Sequence, residues 1–214
     1  MGYTCEARFK TGLAILLGTS LLHAQVETTI QARAAMTNVS TYHFFEVFQT
    51  RGELIVPDVG YVDYGKGNYR ELFGGAGVVA YAGKHFTWIQ EGYFLQGTGP
   101  AAKRASYILP WTLLSYSIPK TNLVGDAVYF TYLPLNQAAR IQYVLDRAKL
   151  EYNFRRYRIG GGYAAYEYAN GAWQNRPFLT FTVKAQPVGS FEFWAQRLPA
   201  NAYQLQVRYV IGFK

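Results

Sequence analysis

The sequence predicts an all-β fold: an up-and-down antiparallel transmembrane β-barrel of about ten strands, within a range of about eight to twelve, following an N-terminal signal peptide. Three observations carry this. Large apolar residues recur at every second position in segment after segment, which is the side-chain period of a strand whose two faces meet different surroundings. Longer and shorter turn clusters alternate along the chain, as they do when successive strands run up and down between two unlike ends. No apolar run after the first two dozen residues is long enough to cross a membrane as a helix, and no stretch sustains a 3.6-residue period.

The chain begins with a processing signal. Arg8 and Lys10 form a basic lead, "TGLAILLGTSLL" supplies the apolar stretch, and Leu22-His23-Ala24 ends on a small residue before Gln25. Residues 1–24 are therefore read as the signal peptide, 25–39 as an N-terminal lead-in and 40–214 as the barrel domain. The single cysteine, Cys5, precedes the apolar run, so the processed chain would carry no thiol for a disulfide, a thiolate nucleophile or a soft metal.

Strands are expected at Ser40–Arg51, Asn68–Ala82, Lys84–Gln96, Arg104–Ser117, Thr121–Leu133, Ala139–Asn153, Arg156–Tyr168, Arg176–Gln186, Ser190–Arg197 and Ala202–Phe213. Each is rich in aromatic and β-branched residues and is bounded by turn residues. The segment Gly52–Gly67, "GELIVPDVGYVDYGKG", reads as the longest connection. "GTGPAA", "PLNQ", "ANGAWQN" and "LPANA" share its end of the sheet, opposite the tighter "GK", "IPKTN", "NFR" and "QPVGS". Pro110 within "YILPWTLL" lacks a ladder donor and marks a bulge or local break. The apolar parity slips between Ile141-Tyr143-Leu145 and Ala148-Leu150-Tyr152, which marks a second bulge.

The alternation assigns two faces. Leu179, Phe181 and Val183 alternate with Thr180, Thr182 and Lys184; Phe191, Phe193 and Ala195 alternate with Glu192, Trp194 and Gln196. Arg147, Lys149, Glu151, Arg156, Arg158, Lys184, Glu192 and Arg208 all take the polar parity, so a barrel with its apolar face to lipid would turn them into the lumen. Such an interior is either a salt-bridged plug or a narrow basic channel favouring anions, and about ten strands enclose a lumen largely filled by side chains. Aromatic residues make up 17% of the chain, with 19 tyrosines, and Tyr42, Tyr69, Tyr116, Tyr132, Tyr166, Tyr168 and Tyr203 fall near expected strand ends, where an interfacial girdle forms.

The final segment, "NAYQLQVRYVIGFK", resembles the closing strand of bacterial outer-membrane β-barrel proteins, with Tyr209, Ile211 and Phe213 in the spacing that the barrel-assembly machinery reads and Lys214 following the terminal aromatic. The resemblance implies a place in the cell outer membrane of a Gram-negative-type envelope. The partners it implies are outer-membrane lipids and the assembly machinery. It points to no particular family.

Chemistry-bearing constellations are sparse. "GGAG" at Gly74–Gly77 and "GGG" at Gly160–Gly162 lack the Lys-Ser/Thr sequel and the helix of a phosphate-binding loop, so they read as close strand packing. After processing only His43 and His85 remain, too few for a zinc site without carboxylates from distant strands, so neither a metal nor a cofactor is expected. The net charge of +8 comes without a basic run beyond Arg155, Arg156 and Arg158, which speaks against nucleic acid and leaves anionic lipid headgroups and small anionic solutes as partners. The expected role is structural or that of a narrow, porin-like channel. Two alternatives stay open: a periplasmic lipocalin-like binder, whose apolar parity would line a ligand cavity, and a barrel-borne lipid-modifying hydrolase using His43 near Ser40 or His85 near Thr87.

Overall fold

The computed structural model describes residues 26–37, 40–65, 67–100, 104–136, 140–167, 171–185 and 189–213. The expected signal segment at 1–24, including Cys5, lies outside the described residues, as do Tyr168 and Lys214.

The described chain forms twelve strands: β1 (Val26–Thr37), β2 (Thr41–Arg51), β3 (Leu54–Tyr64), β4 (Tyr69–Ala82), β5 (Phe86–Thr98), β6 (Ser106–Ser117), β7 (Leu123–Pro134), β8 (Gln142–Phe154), β9 (Tyr157–Glu167), β10 (Trp173–Ala185), β11 (Gly189–Arg197) and β12 (Tyr203–Phe213). Each pairs antiparallel with its sequence neighbours, and β1 pairs with β12 from Thr28↔Phe213 to Thr37↔Gln204, closing the barrel. Closure leaves no backbone edge unpaired, which is the condition for a sheet to survive in hydrocarbon.

Ten of these strands lie where the alternation placed them. The other two, β1 and β3, occupy the stretches read as a lead-in and as the longest connection. In β1 the lipid-side residues include Ala32 and Ala34, too small to make a strong apolar signal. In β3, Pro57, Asp58 and Gly60 imitate a turn, but they sit at a register shift between Ile55 and Asp58 that the sheet absorbs as a bulge. The expected long connection resolves into a tight turn at Gly52-Glu53, the strand, and turn residues at Gly65, Gly67 and Asn68.

Burial is inverted relative to a soluble protein. Along β10, Leu179 is 70% exposed while Thr180 and Thr182 are 3% and 2% exposed. Leu205 and Val207 on β12 face outward while Gln206 is buried, and Phe191 and Phe193 on β11 flank buried Glu192. An apolar exterior around enclosed polar and charged groups is the surface a bilayer stabilises. A lipocalin-like binder would need its apolar parity inside, and along β10, β11 and β12 that parity faces out.

Both expected irregularities are present. Between β6 and β7 the ladder omits Leu109 and Pro110 and resumes in the same register at Trp111↔Phe130, a local break where proline has no N–H to give. In β8 the parity slip is a bulge: Leu145 faces Tyr129 and Arg147 faces Val128, leaving Asp146 as an extra residue. Asp146 and Arg147 are both buried as a result, at 6% and 4% exposure.

The end where β1 begins and β12 ends has connections that are shorter on average, at 52–53, 83–85, 118–122, 155–156 and 186–188, and the opposite end has 38–40, 65–68, 99–105, 135–141, 168–172 and 198–202. Near the terminal end the outer wall carries a row of rings, Tyr152–Phe154–Tyr157–Phe181–Phe193, with successive centroids 6.1, 6.0, 5.8 and 6.5 Å apart. That row is an aromatic belt of the kind that settles at a membrane interface.

Candidate functional site

A barrel of about eight strands is just wide enough for side chains to fill, and one of sixteen or more leaves an open channel. Twelve strands lie between, so the lumen here can be filled only by long or bulky groups. The residues pointing inward are of that kind, and they divide the cross-section into an ionic half and an aromatic half.

The ionic half is built on β8. Asp146, turned inward by the bulge, accepts from Arg33 of β1 through Nη1 at 3.0 Å and Nη2 at 3.3 Å, and from Nη1 of Arg147 at 2.9 Å. Arg147 Nε donates to Asp126 of β7. Lys149 reaches Glu192 of β11 at 2.6 Å, Glu151 at 3.3 Å and Asp126 at 3.4 Å. Glu151 also accepts from Thr180 at 2.9 Å and Thr182 at 3.0 Å on β10. Arg208 of β12 lies 3.5 Å from Glu192 and donates to Gln31, whose amide donates to Glu46 at 3.1 Å. Burial of so many charges is tolerable because each has opposite charges or hydrogen-bond partners in reach.

The aromatic half faces it from β3 to β7. Trp111 and Phe130 stack with centroids 4.4 Å apart, and Tyr93, Phe73, Tyr132 and Tyr107 pack around them edge to face. Arg33 stands on the seam: its guanidinium carbon is 5.6 Å from the Phe44 ring and 5.7 Å from the Trp194 ring, and Trp194 itself stacks on Phe178 at 4.4 Å. Between the halves a cavity of about 50 Å³ remains, bordered by Arg33 and Asp146 on one side and by Tyr42, Phe44, Tyr64, Phe73 and Tyr132 on the other.

The structure brings Arg147, Lys149, Glu151, Glu192 and Arg208 together in this network. Arg158 and Lys184 are partly buried near the terminal end, where Lys184 Nζ donates to Asn153 and, at 3.1 Å, to the Arg155 carbonyl. Arg156 instead occupies the exposed β8–β9 turn, one residue short of the strand that would aim it. The interior is not the basic surface the polar parity suggested. Arg33, Arg147, Lys149 and Arg208 are matched by Asp126, Asp146, Glu151 and Glu192, and Glu46, Asp58 and Glu71 are buried as well. Asp58 escaped sequence reading because β3 was not recognised as a strand, and Asp146 because the bulge reverses the parity there.

The tyrosines separate in the same way. Tyr203, 66% exposed, lies on the outer wall, and Tyr116 pairs there with Gly125 and donates to the Lys149 carbonyl at 2.8 Å. Tyr42, Tyr69, Tyr132 and Tyr166 face the lumen, correcting their placement in a girdle: Tyr42 shares the parity of buried Phe44 and Glu46, Tyr69 and Tyr132 donate to Glu71, and Tyr166 lies under the Arg176 guanidinium at 4.2 Å. Tyr209, Ile211 and Phe213 all take the outward parity of β12.

His43 and His85 both lie outside the lumen network. His43 is exposed on the outer wall of β2. His85 lies in the β4–β5 turn, with its Nδ1 3.1 Å from Ser117 Oγ, and the same two residues share a backbone bond of 2.9 Å that closes the neighbouring hairpins. Neither pairing proposed from the sequence, Ser40 with His43 or Thr87 with His85, is among the bonds of the described residues.

What these observations define is a closed, antiparallel, outer-membrane-type barrel with a side-chain-filled lumen. Comparison with protein families and with curated proteins gave no match. Among solved structures, the chain is similar to the KdgM porin, with a TM-score of 0.63 and 13% identity over 87% of this chain and 99% of that one. A structure described as KdgM porin in complex with disordered oligogalacturonate gives 0.62 and 12% over 87% and 98%. The NanC porin gives 0.56 and 9% over 87% and 99%. At such identities the likeness is one of fold.

Proposed function

We propose that the chain is an outer-membrane channel for small solutes, with the start of β1 and the end of β12 on the periplasmic side and its lumen narrowed by the ion-pair network. The observation that carries this is the inside-out barrel itself, whose enclosed charges reach from β1 to β8 through Arg33 and Asp146. Charge enclosed by an apolar wall is the arrangement of a solute path, and its cost in a membrane is hard to account for in a purely structural cylinder. The porin neighbours, one of them described in complex with disordered oligogalacturonate, support the same reading. Because the central cations are matched by carboxylates, preference for small anions would be set at the terminal mouth, where Arg158 and Lys184 line the wall and Arg155 and Arg156 occupy the adjoining turn.

The test is single-channel conductance and ion selectivity of the refolded barrel in a planar bilayer. Low, anion-preferring conductance is expected, and replacing Arg158 and Lys184 by glutamate should reverse the preference. Silence at every voltage, both in the parent chain and in an Arg33→Ala variant that still folds, would leave only a structural role.

A further inference from the structure

The cations of the lumen are concentrated in the ionic half, whereas Glu46 and Glu71, like the neighbouring Asp58, have no cation within ion-pair reach among the described residues. Glu71 is 3% exposed and accepts from the hydroxyls of Tyr69 at 2.8 Å and Tyr132 at 3.2 Å. Glu46 is 7% exposed and accepts from the Gln31 amide at 3.1 Å. Hydrogen bonds from neutral donors ease the burial of a carboxylate without balancing its charge.

Glu46 and Glu71 both border the cavity of about 50 Å³ between the two halves, and beside them its wall is mostly ring, with Tyr42, Phe44, Tyr64, Phe73 and Tyr132 among the rings and Val62, Leu95 and Leu109 as aliphatic members. Aromatic faces are the negative ends of ring quadrupoles and attract cations that carry a diffuse, weakly hydrated charge. One of these faces already does so, since the Arg33 guanidinium lies 5.6 Å from the Phe44 centroid. Arg33 is committed to Asp146 through two hydrogen bonds and does not reach Glu71. The free space corresponds to about three to five waters, or roughly four or five non-hydrogen atoms. That is the size of a methylated ammonium head. An alkali or divalent metal ion would instead need a shell of about six oxygens, which rings cannot supply.

We propose that this cavity binds an organic ammonium cation, most fittingly a quaternary methylammonium head, with Glu71 as its counter-charge and Tyr42, Tyr64, Phe73 and Tyr132 as its cage. The site is opposite in sign to the proposed anion-preferring mouth and does not depend on whether the barrel conducts. A solute carrying both charges would find an ammonium pocket and the seam arginine within one lumen.

The refolded barrel in detergent provides the test. Trp111 borders the cavity, so its emission should change saturably when tetramethylammonium chloride is added at constant ionic strength maintained with sodium chloride. A Trp111→Phe variant assigns the signal among the 4 tryptophans. Glu71→Gln and Tyr64→Leu should each weaken the apparent affinity tenfold or more (about 10-fold per lost charge or ring contact), and tetrapropylammonium should give no saturable change. Each variant is scored after its heat-dependent shift in electrophoretic mobility shows a folded barrel, and two sites are varied so that loss of one fold does not end the test. A parent chain that answers sodium and tetramethylammonium alike, or folded variants that bind as the parent does, would overturn the proposal. Channel recordings are not used, so a silent channel and an empty cavity give distinct results.

Discussion

Arg33 on β1 and Asp146 on β8 meet across the lumen, guanidinium to carboxylate, at 3.0 and 3.3 Å, although 113 residues separate them in sequence. Nothing in the local sequence of either strand requires the contact. It exists because an extra residue in β8 turns Asp146 inward, opposite a strand five places away around the wall.

Removing one member should cost far more than removing both. Asp146→Ala leaves Arg33 buried with its charge unmatched, a loss of about 3–5 kcal/mol, whereas the double replacement Arg33→Met with Asp146→Leu should lie near the parent. Urea unfolding of the barrel in lipid vesicles, followed by loss of heat-resistant mobility, gives the ordering. Equal destabilisation by the single and double variants would show that the pair contributes through shape alone.

The lipid wall should tolerate charge poorly at mid-height. Leu179 stands halfway along β10 and is 70% exposed, so Leu179→Arg should cost about 2–4 kcal/mol at the bilayer midplane. The same substitution at Tyr203, at the end of β12, should cost about 0–1 kcal/mol, because depth controls the penalty. Unfolding free energies in vesicles that fail to separate the two positions would argue against lipid contact along this face.

Glycines in β9 and β5 should respond in opposite ways. A Cβ on Gly162 would collide with the Ala148 carbonyl and the Phe178 ring, and Gly162→Ala should destabilise by about 1–3 kcal/mol through overpacking. Gly92 has nothing within 4 Å of the position its Cβ would take, and Gly92→Ala should be neutral or stabilising by about 0.4–1 kcal/mol. Refolding yield and urea midpoint report both.

Much of the wall was legible because hydrocarbon imposes the same rule on every strand. Leu179-Phe181-Val183 and Tyr203-Leu205-Val207-Tyr209 repeat at period two whatever lies inside. Illegibility begins where that rule relaxes. Ala32 and Ala34 are small enough to hide β1, and Pro57-Asp58 looks like a turn until a bulge accommodates it. Interior partners were less accessible still, because parity gives a direction and no distance: Lys149 and Glu192 were both assigned inward, but only the closed circle brings them to 2.6 Å. The tyrosines show the complementary error. Position near a strand end suits a ring at an interface, and the parity of Tyr42 and Tyr132 then turns them to the opposite side of the sheet.

The pairing of β1 with β12 makes the finished cylinder circular, with Thr28 beside Phe213 as firmly laddered as any interior neighbours. Which strand comes first is therefore a property of synthesis and has no counterpart in the wall. A circular permutant joining the two extremities through a short linker and severed at Gly52-Glu53 would contain the same set of neighbouring strands, with β3 as its opening stave and β2 as its last.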